Sequence, residues 1–375
     1  MGAEQEAQRL PNWGALNTLR GLLVSKHQMA ERDAVTAVVQ LATEALMHLR
    51  LSTRQRIVRD AERALKGVLP DDSYNRWFRK ALERERESVA RRLASRDADA
   101  AARISPLRDH LFAPQSQRQF EALDLMADLV RRWEKEEEQS NTLASVADWA
   151  TWYAQQCSQI DRLALRLMQF QVRGTGLGDS SGRLVERYWG WRDQLNSTFA
   201  QHYLDHYEAA LHDRQTGVFG THRILEWVIR PRVQENRRVL LLVVDGMGYP
   251  AFWHLLEQWA GEAPAVYVHH PQSALSLLPS ITSISRKGLF LNALPTDRLD
   301  DEQTYEQKAR VSEAKGLEDA FPGCVVKLYN KSNLVGGQQL LNDLQFKGAQ
   351  VVAVIPNAID DDLKSTTTTV RLPRL

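Results

Sequence analysis

Carboxylates follow two apolar runs in the latter part of the chain, and they are the side chains best suited to chemistry. Asp245 follows the run 239–244, Val-Leu-Leu-Leu-Val-Val, and aspartates at 360–362 follow the largely apolar run 350–355. Carboxylate oxygens hold divalent metal ions, and such an ion makes a hydroxyl a far better nucleophile. Thr282 lies between the two runs and offers that hydroxyl. The set therefore predicts metal-assisted attack on a phosphate ester.

Thr282 is expected near the N-terminus of a short helix that runs through Arg286 to Phe290. Helix N-termini attract anions, and Arg286 or Lys287 would favour the phosphoryl oxygens. The alternative interpretation is purely structural, because a Thr at a helix start is normally a cap, and Asp245 could likewise cap the helix that follows it. No Ser-His-Asp arrangement competes with these residues.

The elements that must position these residues follow from the pattern of apolar runs. The run before Asp245 is typical of a strand buried on both faces, at the centre of a parallel sheet. From residue 237 onward strands alternate with helices, with further strands expected at 265–268 and 325–329, which predicts a doubly wound, mostly parallel sheet. Open α/β sheets bind ligands outside the carboxyl ends of their strands. Asp245, Thr282 and Asp360 are therefore predicted to converge at one edge.

Residues 1–236 are predicted to form an all-α helical region without strands, because their apolar residues recur at helical spacing. One such stripe consists of Leu195, Phe199, Tyr203, Tyr207 and Leu211. The glycine-rich segment 174–182 follows a helix rather than a strand, so a flexible connector is favoured over a phosphate-binding loop. His202 and His206 share a helix face at metal-ligand spacing, but without an evident third ligand a surface pair is favoured.

Length and composition narrow the class of protein. At 375 residues the chain exceeds what one core usually serves, so two domains are expected, 1–236 and 237–375. Lys and Arg number 48 against 47 Asp and Glu, so there is no global field to attract nucleic acid or a membrane. The two cysteines, Cys157 and Cys324, lie far apart and favour a reducing, cytoplasmic setting. Neither a signal-peptide profile nor a membrane-spanning run is present in the sequence, so no membrane partner is expected.

The segments from residue 237 onward resemble the PglZ family, which belongs to the alkaline phosphatase superfamily and is known from bacterial BREX phage-defence systems. The matching stretches are 241–248 (LLVVDGMG), 278–290 (LPSITSISRKGLF), 327–331 (KLYNK) and 352–361 (VAVIPNAIDD). The helical residues 1–236 are similar to the divergent upstream region of longer PglZ proteins. The resemblance implies an alkaline-phosphatase-like α/β domain and a metal-dependent phosphohydrolase that works with other protein components of a BREX-like system.

The resemblance also assigns roles to individual residues. Asp245 corresponds to the first metal-ligand Asp of the superfamily, and Thr282 to its nucleophile, which also contacts metal. Asp360 corresponds to the Asp of the next metal-binding motif, with Asp361 as a neighbouring candidate. Zinc is the metal that the resemblance implies first, with magnesium and manganese as alternatives. The substrate would be a phosphate ester, with nucleic acid among the candidates, bound by Arg286 and Lys287.

Two departures from the family pattern favour a second interpretation. Lys364 stands where the superfamily commonly has a His, and residues after 362 include no His and no acid. The superfamily needs further ligands there, so 237–375 is expected to be only the front part of a PglZ-like domain, poorly active by itself. The alternative function is a non-catalytic interaction or scaffold component of the defence complex.

Overall fold

A computed structural model of the chain describes residues 46–64, 79–172, 177–262, 272–295, 312–330, 340, 342 and 348–356. The α-helices in these ranges are α1 (Leu51–Ala64), α2 (Arg79–Ala94), α3 (Ile104–Arg108), α4 (Gln117–Ser140), α5 (Val146–Trp152), α6 (Ser158–Val172), α7 (Gly178–Leu211), α8 (Arg230–Gln234), α9 (Tyr249–Glu262), α10 (Thr282–Leu291) and α11 (312–320). The strands are β1 (Phe219–Gly220), β2 (Val239–Leu242), β3 (Ala274–Leu275), β4 (Val326–Asn330) and β5 (Val351–Ile355).

Short 3-10 and π-helical turns connect several of the helices. The 3-10 turns are Ala98–Arg103, Ala113–Ser116 and Thr221–Arg223, and the π-helical turns are Tyr153–Cys157 and Leu225–Ile229. None of the described helices combines the length and the apolar character that crossing a membrane would require.

The chain forms two compact units. One consists of Met1–Arg131 and Leu167–Glu186, and the other of Arg132–Arg166 and Arg187–Leu375. The predicted domain boundary between 236 and 237 does not coincide with the division between these units. From that point on, strands alternate with helices. That boundary stays a prediction.

The first unit is built from amphipathic helices. On α2 the side chains of Leu82, Val89 and Leu93 are at most 1% exposed, and on α4 Phe120 and Leu123 are 3% and 0% exposed. These positions recur at intervals of three, four and seven residues, so each helix turns one apolar stripe toward the core. For the described residues of this unit, the predicted helical packing is confirmed.

The start of α7 corrects one local prediction. Residues 178–182, expected to belong to a flexible connector, form the first turns of this helix. The hydroxyl of Ser181 donates to the carbonyl of Leu177 at 3.1 Å, so polar side chains satisfy carbonyls around the first turn. The beginning of that segment, 173–176, lies outside the described residues.

A short strand corrects the prediction that 1–236 contains none. β1 pairs in parallel with β3, with Phe219 opposite Ala274 and Gly220 opposite Leu275. Two residues of strand leave no alternating pattern, and the partner lies far along the chain, so periodicity cannot detect this pair. Gly220 is needed here because a Cβ at this position would come within 2.6 Å of His222 Nδ1.

The larger sheet confirms the predicted parallel α/β arrangement but not its order. Its described strands run β2-β5-β4, all parallel. β5 is the central strand and is buried along its whole length. β2, expected at the centre, lies at the edge of the described strands: it pairs with β5 alone among them, and Leu240 and Leu242 are 51% and 41% exposed. A run of Val and Leu can form either a central or an edge strand, so only the pairing partners of the strand show which position it takes.

Both faces of β5 are covered. Val351, Ala353 and Ile355 share one apolar cluster with Phe290 of α10 and Leu317 of α11. Val352 and Val354, which alternate with them, belong to a second cluster with Tyr329 and the partly buried Leu340. β4 and β5 coincide with the strands predicted at 325–329 and 350–355, whereas the strand predicted at 265–268 lies outside the described residues.

His222 is a fully buried, titratable side chain in the second unit. Its exposed fraction is 0%, and within the part of the chain that the structure describes neither ring nitrogen has a hydrogen-bond partner. Burial, assisted by the positive charge of Arg223 and by His212, lowers the pKa of His222 to about 4, while Glu226 acts in the opposite direction. The ring is therefore neutral in the folded protein at neutral pH.

We predict that His222 makes the fold sensitive to acid between pH 6.5 and 4. In this window the unfolded chain binds a proton at His222, with an ordinary pKa of 6.5, and the folded chain does not. Stability is complete above pH 6.5 and falls as the pH drops toward 4, by about 3 kcal/mol at most. Denaturant unfolding of wild type and His222→Leu at the two ends of the window measures the effect.

The substitution should flatten this acid-dependent loss of stability, whatever it does to stability at pH 7. His48→Gln, at an exposed position, serves as the control and should leave the loss unchanged. An equal loss of stability in wild type and His222→Leu would show that another group is responsible.

Candidate active site at the carboxyl edge of the sheet

The register of the sheet brings two strand ends to one edge. Leu242 of β2 lies opposite Val354 of β5, and the N–H of Val243 continues the ladder by donating to the Val354 carbonyl at 2.8 Å. Because the strands are parallel, Asp245 and the segment that follows Ile355 leave the sheet at the same edge. That segment carries Asp360 and Asp361, which lie outside the described residues, as does Lys364.

Asp245 occupies the turn between β2 and α9. The next residue, Gly246, has a φ of +74°, a left-handed conformation that glycine adopts without strain. α9 begins only at Tyr249, so Asp245 precedes the position from which a side chain could cap it. The carboxylate is 23% exposed and faces Arg286 instead. The helix-cap interpretation of Asp245 is therefore not supported.

Thr282 is the first residue of α10. The capping position belongs to Ile281, whose extended backbone (φ −100°, ψ 156°) leads into the helix and whose side chain makes no cap hydrogen bond. Thr282 is partly exposed and lies one turn before Arg286, on the same side of the helix. Its hydroxyl thus lies near backbone N–H groups that no side-chain cap satisfies.

Arg286 joins Asp245 to a third residue. Its side chain is 9% exposed; Nε donates to Glu313 Oε1 at 2.6 Å, and Nη1 donates to Asp245 Oδ2 at 3.4 Å. Glu313, on α11, is only 2% exposed. We call these three residues the carboxylate–arginine bridge. It connects the end of β2 to both helices that cover this face of the sheet.

Two glycines allow α10 to approach its neighbours closely. A Cβ at Gly288 would lie 2.4 Å from Leu277 Cδ1, and a Cβ at Gly316 on α11 would lie 2.4 Å from the backbone oxygen of Phe290. The second contact is with backbone, which cannot swing aside. The crossing of α10 and α11, and with it the reach of Glu313 to Arg286, depends on the absence of a side chain at Gly316.

Sequence reasoning missed Glu313, although a signal for it exists. Glu313, Leu317 and Ala320 stand at helical spacing and are 2%, 0% and 6% exposed. An acid on the apolar stripe of a helix requires a buried partner, because a lone buried carboxylate is costly. Arg286, expected to contact substrate, supplies the partner. Its substrate-binding role stays a prediction, as does that of the partly exposed Lys287.

The side chains at this edge are of a chemical type that binds divalent cations. A carboxylate at Asp245 and a hydroxyl at Thr282 are oxygen ligands of the type that magnesium, manganese and zinc accept. Within the described residues no group of three or more His, Cys, Asp or Glu side chains is arranged to hold a metal ion. The expected set is completed only by Asp360 and Asp361, outside the described ranges.

An aromatic cleft of about 590 Å³ is formed within the second unit. It is linked to the candidate site through the chain, since Tyr249 lies four residues after Asp245 and Ser280 two residues before Thr282. Its aromatic lining consists of Trp149, Trp152, Tyr153, Phe199, Tyr203 and Tyr249.

Ring contacts and hydrogen bonds fix the walls of the aromatic cleft. Phe199 and Tyr203 stack at 5.3 Å, and Tyr153 meets Tyr249 edge-on at 5.7 Å. Burial raises the pKa of Tyr203 well above its usual range, so its hydroxyl stays protonated and donates to the Ser276 carbonyl at 2.9 Å. The sequence pattern predicted that these aromatic stripes belong to the core. The segment 273–280, which makes them part of a cleft wall, could not be placed from periodicity.

Comparison with known proteins adds no relative. No protein-family model matches the chain, and no curated protein matches it. The resemblance therefore rests on the four quoted stretches alone.

We predict that the carboxylate–arginine bridge is a coupled unit. Arg286→Met should destabilise the fold by about 3–5 kcal/mol, because it removes the guanidinium that pairs with the buried Glu313 carboxylate at 2.6 Å. Arg286→Met combined with Glu313→Leu should recover much of the loss, since an apolar pair can replace a buried ion pair. Denaturant unfolding of the single and double variants gives the coupling energy.

The exposed pair Arg232–Glu235, at 3.6 Å, provides the matched control, and Arg232→Met should change stability by less than about 1 kcal/mol. Additive losses in the Arg286 and Glu313 variants would show that the two side chains do not depend on each other.

Proposed function

We propose that the protein is a PglZ-like, metal-dependent phosphohydrolase of a BREX-like phage-defence system, with Thr282 as its nucleophile. One observation carries the proposal: Asp245, at the carboxyl end of a parallel strand, is joined through Arg286 to the helix that begins at Thr282. Open α/β sheets bind ligands at this position. The four PglZ-like stretches supply the specific reaction class and the defence setting.

The reaction we propose is displacement at phosphorus. The Thr282 hydroxyl oxygen forms a bond to phosphorus as the ester P–O bond breaks, and the leaving alcohol takes up the proton that the hydroxyl loses. Water then cleaves the phosphothreonine and restores Thr282. A bound divalent metal, zinc first by resemblance, would lower the pKa of the hydroxyl and stabilise charge on the phosphoryl oxygens. Asp245, Thr282, Asp360 and Asp361 would hold it.

The residues around Thr282 support binding of an anion. The first N–H groups of α10 and the positive end of its dipole favour phosphoryl oxygens, and Lys287 adds a cation on the same helix. Arg286 has a second role in this proposal. It orients the Asp245 carboxylate, and Glu313 holds the guanidinium in place.

The aromatic cleft favours an ester substrate that carries a planar group. Tyr153, Phe199 and Tyr249 are the partly exposed rings of this cleft. Planar groups stack on accessible aromatic rings with little dependence on their exact identity, which is how many proteins hold unpaired bases. We therefore favour a phosphodiester that carries a planar group, such as a nucleotide or single-stranded nucleic acid. The chain's balance of 48 basic and 47 acidic residues means that such a substrate is bound locally rather than by a general field.

The alternative is an interaction module that does no chemistry. The observation that favours it is the ion pair at Asp245, because a guanidinium 3.4 Å from the carboxylate competes with a metal ion for the same charge. Lys364, in place of the usual His, would act in the same direction.

We predict slow, metal-dependent hydrolysis of a chromogenic phosphodiester by the 375-residue chain. Thr282→Ala should lower the rate to background, since it removes the attacking oxygen. Asp245→Asn should weaken the affinity for added zinc or manganese, because it removes the negative charge of the ligand. Initial rates and calorimetric metal titrations measure the two effects.

Thr142→Ala and Asp193→Asn, both at exposed positions, are the matched controls and should behave as wild type. Turnover that survives Thr282→Ala would exclude the proposed nucleophile. Absence of turnover with every metal, together with unchanged metal affinity in Asp245→Asn, would favour the interaction module.

A further inference from the structure

Arg86 is a buried cation with unused hydrogen-bond donors in the first unit. It lies on α2 and is 7% exposed, and its Nε and Nη1 have no hydrogen-bond partner among the described residues. Burial lowers the pKa of Arg86, with help from Arg79, while Glu83 and Glu87 act in the opposite direction. A desolvated guanidinium with two nitrogens that lack hydrogen bonds is unfavourable unless a further negative group compensates it.

Arg86 is buried at a position of α2 where an apolar residue would be expected. Leu82 and Val89, four residues before and three after, are 1% and 0% exposed. Arg86 therefore stands on the apolar stripe of α2, where packing alone would favour Leu or Met. A charged residue there serves a purpose other than filling the core.

Arg86 lines a cavity of about 440 Å³, and the described residues that line it belong to the first unit. Arg59 and Arg79 also line this cavity, which we call the arginine pocket, and both are exposed at its rim. Phe112 and Leu177 provide a buried apolar surface. The volume exceeds that of a bare inorganic anion and is suited to a small organic molecule.

The other charged groups of the arginine pocket are partly committed to each other. Arg79 Nε pairs with Glu83 Oε1 at 2.8 Å, and Arg59 Nε donates to the backbone oxygen of Gln55 at 3.2 Å. Glu83 is thus engaged by Arg79 rather than by Arg86. Among the described residues that line the pocket, three arginines stand against Glu83 and Glu87, so this part of the lining is net positive.

We propose that the arginine pocket binds the phosphoryl group of a small organic phosphate, with Arg86 as its main donor. Guanidinium groups form short, charge-assisted hydrogen bonds to phosphoryl oxygens, and a dianion would balance Arg86 together with the rim arginines. The apolar surface at Phe112 and Leu177 would contact the organic part of the ligand. The site is independent of the Thr282 chemistry, because none of its residues belongs to the carboxylate–arginine bridge.

Calorimetric titration of the full chain with inorganic phosphate and with adenosine monophosphate tests the proposal, at constant ionic strength set by chloride. Both probes should bind wild type, and the nucleotide should bind more tightly because it also covers apolar surface. Arg86→Gln should weaken binding at least about tenfold through loss of a charge-assisted hydrogen bond. Arg91→Gln, at an exposed position of the same helix, is the matched control and should bind as wild type.

Thermal unfolding separates a binding role from a structural one. Phosphate should raise the melting temperature of wild type but not of Arg86→Leu, although this variant should be at least as stable as wild type without phosphate. Absence of binding to wild type, or equal affinities and equal melting shifts in wild type and the Arg86 variants, would overturn the proposal. Inorganic phosphate that binds as tightly as the nucleotide would overturn the organic-ligand assignment.

Discussion

A buried guanidinium needs negative partners, and in the second unit this requirement fixes how three elements meet. Arg286 is enclosed between Glu313 and Asp245, which come from α11 and from the end of β2. A shift of either helix along the sheet would break the buried ion pair between Arg286 and Glu313, at a cost in stability. Gly316 makes the arrangement sterically feasible, because α11 passes against the backbone of Phe290. The candidate site is thus positioned by electrostatics and close packing together.

The same bridge sets the electrostatic character of the site. Asp245 faces a cation from its own protein, so a metal ion that binds there must share this carboxylate with Arg286 or displace it. Glu313, at the shorter distance of 2.6 Å, would keep the guanidinium in place in either case. The strength of metal binding at Asp245 is therefore the property that separates an active hydrolase from an interaction module on this scaffold.

Features carried by local periodicity could be predicted from the sequence, and features that depend on distant partners could not. Apolar stripes predicted the helices, and apolar runs predicted β4 and β5. Among the described strands the centre is β5 and not the expected β2, because the two have similar compositions and only the pairing of β4 with β5 distinguishes them. β1 and the role of Glu313 were missed for the same reason, since both depend on residues tens of positions away. The expected place of Asp245 at a strand end follows from a local pattern and agrees with the structure.

Anomalous diffraction from crystals of the chain soaked with zinc would show directly whether Asp245 binds metal. We expect a peak about 2.0–2.2 Å from a carboxylate oxygen of Asp245 and an oxygen of Asp360, with the Thr282 hydroxyl beside it. A map without a peak at Asp245, or with Asp360 at the opposite edge of the sheet, would contradict this expectation.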